Sequence, residues 1–107
     1  MGMSEEELLL AVINDVTALG NHTDLNTIHN WASRIFDKAK NLKSIDKELY
    51  EKFENTLNQF INLLPEEMEY VPLITTEALK SLEAMKTKFK NTPLNWLKAD
   101  KPEYELT

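Results

Sequence analysis

Four successive segments of this chain repeat apolar residues at intervals of three or four, the spacing that lines side chains along one face of an α-helix. The first apolar face comprises Leu8, Leu9, Val12, Ile13, Val16 and Leu19. The second comprises Leu25, Ile28, Trp31, Ala32, Ile35, Phe36, Ala39 and Leu42. The third comprises Ile45, Leu49, Phe53, Leu57, Phe60, Ile61 and Leu64. The fourth comprises Ala78, Leu79, Leu82, Met85 and Phe89. No stretch alternates with a period of two, so the sequence predicts helices and no sheet.

Residues that favour helix ends set the predicted bounds. Ser4 and Glu7 have the spacing of a capping box at the start of the first helix, and Gly20 is expected to end it in a left-handed conformation. The caps expected for the later helices are Thr23 or Asp24, Ser44, and Thr75. These signals predict helices over 5–19, 25–41, 45–63 and 76–90, and a short helical turn over 93–98 after Thr92 and Pro93.

The connections between the predicted helices indicate how they pack. Most are only a few residues long, which makes neighbouring helices antiparallel, and only the connection 65–74 is longer. With 2 Gly and 4 Pro, the chain also lacks the many turns that a β-sandwich or barrel requires. The sequence therefore predicts an all-α, antiparallel, up-down-up-down four-helix bundle with a short C-terminal helical turn, in one domain over 1–107.

The sequence has no pattern typical of a catalytic or metal site. It contains no Cys, which excludes thiol catalysis and Cys-ligated metals. It also lacks a Gly-rich phosphate loop and a nucleophile elbow. Neither His22 nor His29 has a carboxylate at helical spacing on an inward face. We therefore predict a protein that is not an enzyme and that uses no metal and no cofactor.

His29 suggests the one alternative chemistry. A histidine on a small helical bundle invites comparison with histidine phosphotransfer domains, which usually have Lys and then Gly directly after the histidine. Here Asn30 and Trp31 follow instead. Because Ser33 and Asp37 share its face, the pattern favours a solvated surface histidine. Phosphotransfer through His29 stays open as an alternative function.

Net charge restricts the class of partner. The chain carries 18 acidic and 12 basic residues, for a formal net charge of −6. Direct nucleic-acid binding is not expected, since that affinity comes largely from cations that neutralise phosphates. The sequence also shows no targeting signal, and its apolar run from Leu8 to Ile13 is far too short for a membrane span. We expect a cytoplasmic location and no membrane partner.

Acidic residues concentrate at one end of the predicted bundle. The antiparallel arrangement brings the 20–24 turn and the 65–77 segment together, and no base is expected at this end. The acids at this end are Asp24, Glu66, Glu67, Glu69 and Glu77, and the same end carries Met68 and Tyr70. An acidic rim around a methionine and an aromatic ring is compatible with a docking surface for a basic partner, and a merely solvated loop is the alternative. We predict these seven residues as the partner-binding site.

These features together favour a small acidic protein-binding module without catalytic activity, acting as an inhibitor or antagonist of a protein with a basic surface. In size, helicity and acidity the chain is similar to small inhibitory proteins such as immunity proteins, antitoxin-like partners and phage-encoded antagonists. A second hypothesis is a self-associating structural or adaptor subunit. Leu10 lies off the apolar face of the first helix and would then sit at a homodimer contact.

Overall fold

The computed structural model of the protein describes the backbone of residues 4–100 and the side chains of residues 4–88. These residues contain four α-helices and no strand. The helices are α1 (Glu5–Leu19), α2 (Leu25–Ala39), α3 (Lys47–Ile61) and α4 (Val71–Asp100). A 3₁₀ segment, Lys40–Ser44, precedes α3, and a second one, Pro65–Tyr70, leads directly into α4. None of the described helices combines the length and apolarity that a membrane crossing would require.

The four helices form an all-α bundle, as predicted. Each helix packs against its two neighbours in a ring, with α1 against α2 and α4, and α3 against α2 and α4. The core lies between them and contains Phe53 and Phe60, both fully buried as predicted from their spacing. The other fully buried large side chains are Leu9, Val12, Leu19, Ile28, Ile35, Leu42, Leu57, Leu82 and Met85.

The start of α1 confirms the predicted capping box. Ser4 Oγ accepts a hydrogen bond from the Glu7 backbone N–H at 3.1 Å, and Glu7 Oε1 accepts one from the Ser4 N–H at 3.0 Å. Asp24, one of the two predicted candidates, caps α2 by accepting from the Thr27 N–H at 2.9 Å. Side-chain oxygens therefore satisfy backbone donors that have no partner within the helix.

Gly20 ends α1 in a different conformation from the one predicted. Its φ of −66° and ψ of −14° are right-handed, so the expectation of a left-handed cap is wrong. The glycine is required for space instead. A Cβ atom at position 20 would lie 2.8 Å from the Cγ2 and Oγ1 atoms of Thr75. The absence of a side chain thus lets the end of α1 approach α4 closely.

The predicted bounds of the fourth helix are wrong at both ends. α4 begins at Val71, so Thr75 lies inside the helix and is not its cap. Pro72 is the second helical residue, a position where a missing N–H costs nothing. The backbone then stays helical through Asp100, and the predicted turn 93–98 is part of α4. The side chains of Phe89 and Trp96 lie outside the described residues.

The passage from α2 to α3 also differs from prediction. α2 ends at Ala39 because the chain tightens into the 3₁₀ segment Lys40–Ser44. The cap of α3 is Asp46 instead of Ser44, with Asp46 Oδ1 accepting from the Leu49 N–H at 2.9 Å. Ser44 has another role: its hydroxyl donates to the Glu5 carboxylate and to the Asn41 carbonyl oxygen.

Three aromatic side chains mark the edge of the core. Trp31 and Phe36, expected on the inner face, are only partly buried and pack against the outside of the core. Tyr50, outside the apolar faces read from the sequence, is only 6% exposed. Its burial, together with the nearby Glu54 carboxylate, raises the pKa of its hydroxyl. Side chains at the edge of a helix's apolar face are buried only where a neighbouring helix covers them. The spacing of apolar residues in one helix does not show where its neighbours lie.

Candidate partner-binding surface

Large apolar side chains are exposed mainly along one stretch of the chain. Among the described residues, Leu64, Tyr70 and Leu73 are 50%, 49% and 61% exposed, and Leu10 on α1 is the other large apolar side chain of this kind, at 41%. The first three belong to or flank the 3₁₀ segment Pro65–Tyr70. We call the exposed part of residues 64–73 the connection surface. It overlaps the site predicted from the sequence at Glu66, Glu69 and Tyr70.

The connection surface owes its shape to a reciprocal pair of hydrogen bonds. Glu67 Oε1 accepts from the Leu64 N–H at 2.9 Å, and the Leu64 carbonyl oxygen accepts from the Glu67 N–H at 2.9 Å. Pro65 favours the tight turn between them because its φ is fixed near the helical value. The Glu67 carboxylate, predicted to contact a partner, is therefore engaged within the turn that presents Leu64 to solvent.

A long-range hydrogen bond anchors the same connection to α2. His29 Nε2 lies 2.9 Å from the carbonyl oxygen of Leu63. A carbonyl oxygen can only accept, so Nε2 is the donor and carries a proton. The expectation of a solvated surface histidine is therefore wrong: His29 is partly buried and joins two elements of the bundle. The hydrogen bond engages Nε2, one of the two ring nitrogens that a phosphoryl group could use.

The predicted acids have different roles in the structure. At Asp24, hydrogen bonds from the side chain and backbone of Thr27 hold the pKa below its ordinary value. Glu77 pairs with Lys80 at 3.6 Å, so the expectation that this end has no base is wrong there. Glu66 and Glu69 are exposed, and neither has an ion-pair partner within residues 4–88.

Met68 completes the predicted set. Its side chain is partly buried and packs against the core, so it attaches the 3₁₀ segment to the bundle. The predicted residues that face solvent without a structural bond are therefore Glu66, Glu69 and Tyr70. This smaller group is the part of the predicted site that a partner could reach.

A groove between α3 and α4 opens beside the connection surface. The part of the groove next to the connection surface, called the upper part below, is a cavity of about 450 Å³. Lining side chains include Tyr70 and Leu73 from the α4 side and Asn58, Gln59 and Asn62 from α3. Its lining combines exposed apolar side chains with side-chain amides.

Leu73 was not among the predicted site residues because the fourth helix was predicted to begin at residue 76. Once α4 begins at Val71, the residues Val71, Ile74 and Ala78 form the buried face, and Leu73 points away from it. The signal was present in the order Val71, Pro72, since proline is favoured in the first turn of a helix.

A second cavity, of about 480 Å³, lies between α1 and α2 around Trp31. The Trp31 ring contacts the His22 ring, with centroids 5.0 Å apart, and the Arg34 guanidinium lies 5.9 Å from its centroid. Asp15 and Lys38 form an ion pair at 2.8 Å across the same groove. The ion pair joins α1 to α2, whereas the contacts of Trp31 lie within α2 and between α2 and the turn before it. Within the described residues no group of three or more potential ligands could hold a metal ion.

Comparisons with protein-family models, with curated proteins and with solved structures each found no match to this chain.

Proposed function

We propose that this chain is a small, cytoplasmic, non-catalytic protein-binding domain that inhibits or antagonises a partner with a basic surface. The observation that carries this proposal is the exposure of Leu64, Tyr70 and Leu73 along a single connection. Isolated exposed apolar residues are common on proteins, but several on one short segment are typical of an interaction site.

The apolar side chains would supply most of the affinity. Removing a large apolar side chain from water is worth about 1.5–3 kcal/mol when burial is complete. Tyr70 combines an apolar ring with a hydroxyl, and tyrosine is among the residues enriched at the centres of interfaces. The bonds made by Glu67 and His29 keep the connection in one shape, which lowers the entropy lost on binding.

The charges beside these side chains select the partner. Glu66 and Glu69 precede Tyr70 in the 3₁₀ segment Pro65–Tyr70, and all three residues are exposed. Without an internal counter-charge they give this end a negative potential, which favours the approach of a basic surface. A basic partner would also provide the counter-charges that the domain itself lacks here.

Affinity capture from the native host tests the proposal. Tagged wild-type protein, a Tyr70→Ala/Leu73→Ala variant and a Leu10→Ala control are each used as bait, and captured proteins are quantified by mass spectrometry. Leu10 is a matched control because it is also a large exposed apolar residue, on α1. We expect a basic protein that the wild type and the control retain and the double variant loses. Equal recovery by all three baits, or no protein specific to the wild type, would contradict the proposal.

Self-association through α1 is the second candidate function. The 41% exposure of Leu10 favours it, since the described residues cover this large apolar side chain only in part. If α1 faces a second copy, Leu10→Glu should shift the mass measured by light scattering from dimer to monomer. A wild type that is monomeric at high protein concentration would eliminate this candidate.

A further inference from the structure

The groove between α3 and α4 extends well beyond the connection surface. Its upper part, at Tyr70 and Leu73, meets a lower part of about 380 Å³, and Gln59 lines both. The lower part reaches Leu49 near the start of α3. From Leu49 to Asn62 the axis of α3 rises about 20 Å. The groove is therefore long enough for about six residues of an extended chain, at about 3.3 Å per residue.

One wall of this groove is a row of primary amides. The side chains are Asn55, Asn58, Gln59 and Asn62, all exposed on α3. Asn62 Nδ2 donates to the Asn58 backbone oxygen at 3.0 Å, while the amides of the other three have no hydrogen-bond partner within residues 4–88. A primary amide both donates and accepts, as does a peptide group. The wall therefore presents complementary groups to a polypeptide backbone.

The spacing of these amides matches an extended backbone. Asn55 and Gln59 are four residues apart on α3, as are Asn58 and Asn62, which separates each pair by about 6 Å along the helix axis. In an extended strand, backbone groups with the same orientation recur every two residues, or about 6.7 Å. The two amides of either pair can therefore meet two successive outward-facing peptide groups of one strand.

Charge differs between the two parts of the groove. Glu67 lines the upper part, next to the exposed Glu66 and Glu69. Lys52 and Lys80 line the lower part, where Glu77 offsets only one of them. A segment that fits both parts has a basic residue at its upper end and an acidic residue at its lower end.

We propose that the groove between α3 and α4 binds an extended segment of a partner protein, through its backbone at the amide row and with a basic and an apolar residue at the upper part and an acidic residue at the lower part. This deepens the proposed function and rests on it, because it assigns the partner's contact at Tyr70 and Leu73 to one segment in one conformation. The basic and the acidic residue are about four positions apart in the segment, and this spacing is the same for either direction of the segment.

Selection from a library of random eight-residue displayed peptides tests this directly. The full-length protein is the target, and the strongest selected sequence is then synthesised. We expect enrichment of sequences with Lys or Arg beside a large apolar residue and with Asp or Glu about four residues away. No enrichment, or enrichment without this charge order, would overturn the proposal.

Backbone methylation distinguishes an extended occupant from a helical one. In an extended peptide, N-methylation at alternate positions should weaken binding about tenfold where the N–H faces the amide row and have little effect at the positions between. A helical occupant would lose binding at both sets of positions, because each N–H is then used internally. That result would overturn the proposal.

Variants of the wall complete the test. Gln59→Met and Asn55→Leu keep the side-chain size and remove the amide, and each should weaken the selected peptide about two- to tenfold. Asn14→Leu, on the exposed face of α1, is the matched control and should have no effect. Circular dichroism checks that all three variants fold.

If binding of the host partner requires Tyr70 but is insensitive to Gln59→Met, the groove proposal is wrong, while the proposal that the connection surface binds the partner stands. If the partner does not require Tyr70, the proposed function itself fails.

Discussion

Gly20→Ala probes the close approach between the end of α1 and α4. At the observed φ of −66°, an alanine is conformationally ordinary. It would by itself stabilise the protein by about 0.4–1 kcal/mol by restricting the unfolded chain. The new Cβ, however, would lie 2.8 Å from Thr75 Cγ2 and Oγ1 and 3.2 Å from Thr75 Cβ. Thr75 is short and branched, and overpacking of this kind costs about 1–3 kcal/mol. We therefore expect a net loss of about 1 kcal/mol in the free energy of unfolding, reversing the ordinary sign.

A double-mutant cycle assigns that loss to Thr75. Thr75→Ala removes the two nearest atoms, so Gly20→Ala should become neutral or stabilising in that background. The expected coupling is about 1–2 kcal/mol, measured by urea unfolding of the four proteins followed by circular dichroism. A stabilising Gly20→Ala in the wild-type background, or single effects that add to within about 0.5 kcal/mol, would show that the two helices do not approach as closely as the structure has them.

Three further predictions concern pH, the connection and the rate of association. The ion pair with Lys88 and the hydrogen bond from the α3 backbone hold the pKa of Asp46 below its ordinary value, so the folded state takes up this proton at lower pH than the unfolded state. Stability from Asp46 should therefore be lost as the pH falls from about 4 through the folded-state pKa, and thermal unfolding of Asp46→Asn should depend less on pH in that range. His29→Ala should cost about 1–3 kcal/mol in urea unfolding because it leaves the Leu63 carbonyl oxygen without its partner. Glu66→Lys/Glu69→Lys should slow association with a basic partner and weaken its salt dependence, as measured by stopped flow, and unchanged rates would remove these two carboxylates from the interface.

Much of the fold was predictable because its signals are local. The capping box at Ser4 and Glu7 and the cap at Asp24 act over three residues, so they can be read directly from the chain. The periodic burial of Phe53 and Phe60 likewise needs only the pitch of a helix. Such elements fix the class of fold and the start of each of the first two helices.

The features that the sequence did not reveal depend on contacts between distant residues. His29 and Leu63 are 34 positions apart, and only the packing of α2 beside the end of α3 brings them together. The reason for glycine at position 20 is likewise a neighbour on another helix, Thr75. The exposure of Leu73 was missed for a local reason instead: Pro72 is typical of a loop, although proline is also favoured in the first turn of a helix, and α4 begins at Val71.

Hydroxyl-radical footprinting of the protein alone and in complex with its captured partner tests the central claim most directly. The oxidation of exposed side chains is measured residue by residue by mass spectrometry. Binding at the connection surface predicts that Leu64, Tyr70 and Leu73, all exposed in the free protein, become protected, while Leu10 is oxidised equally in both states. Protection of Leu10 with unchanged oxidation of Tyr70 and Leu73 would contradict the account and move the interface to α1.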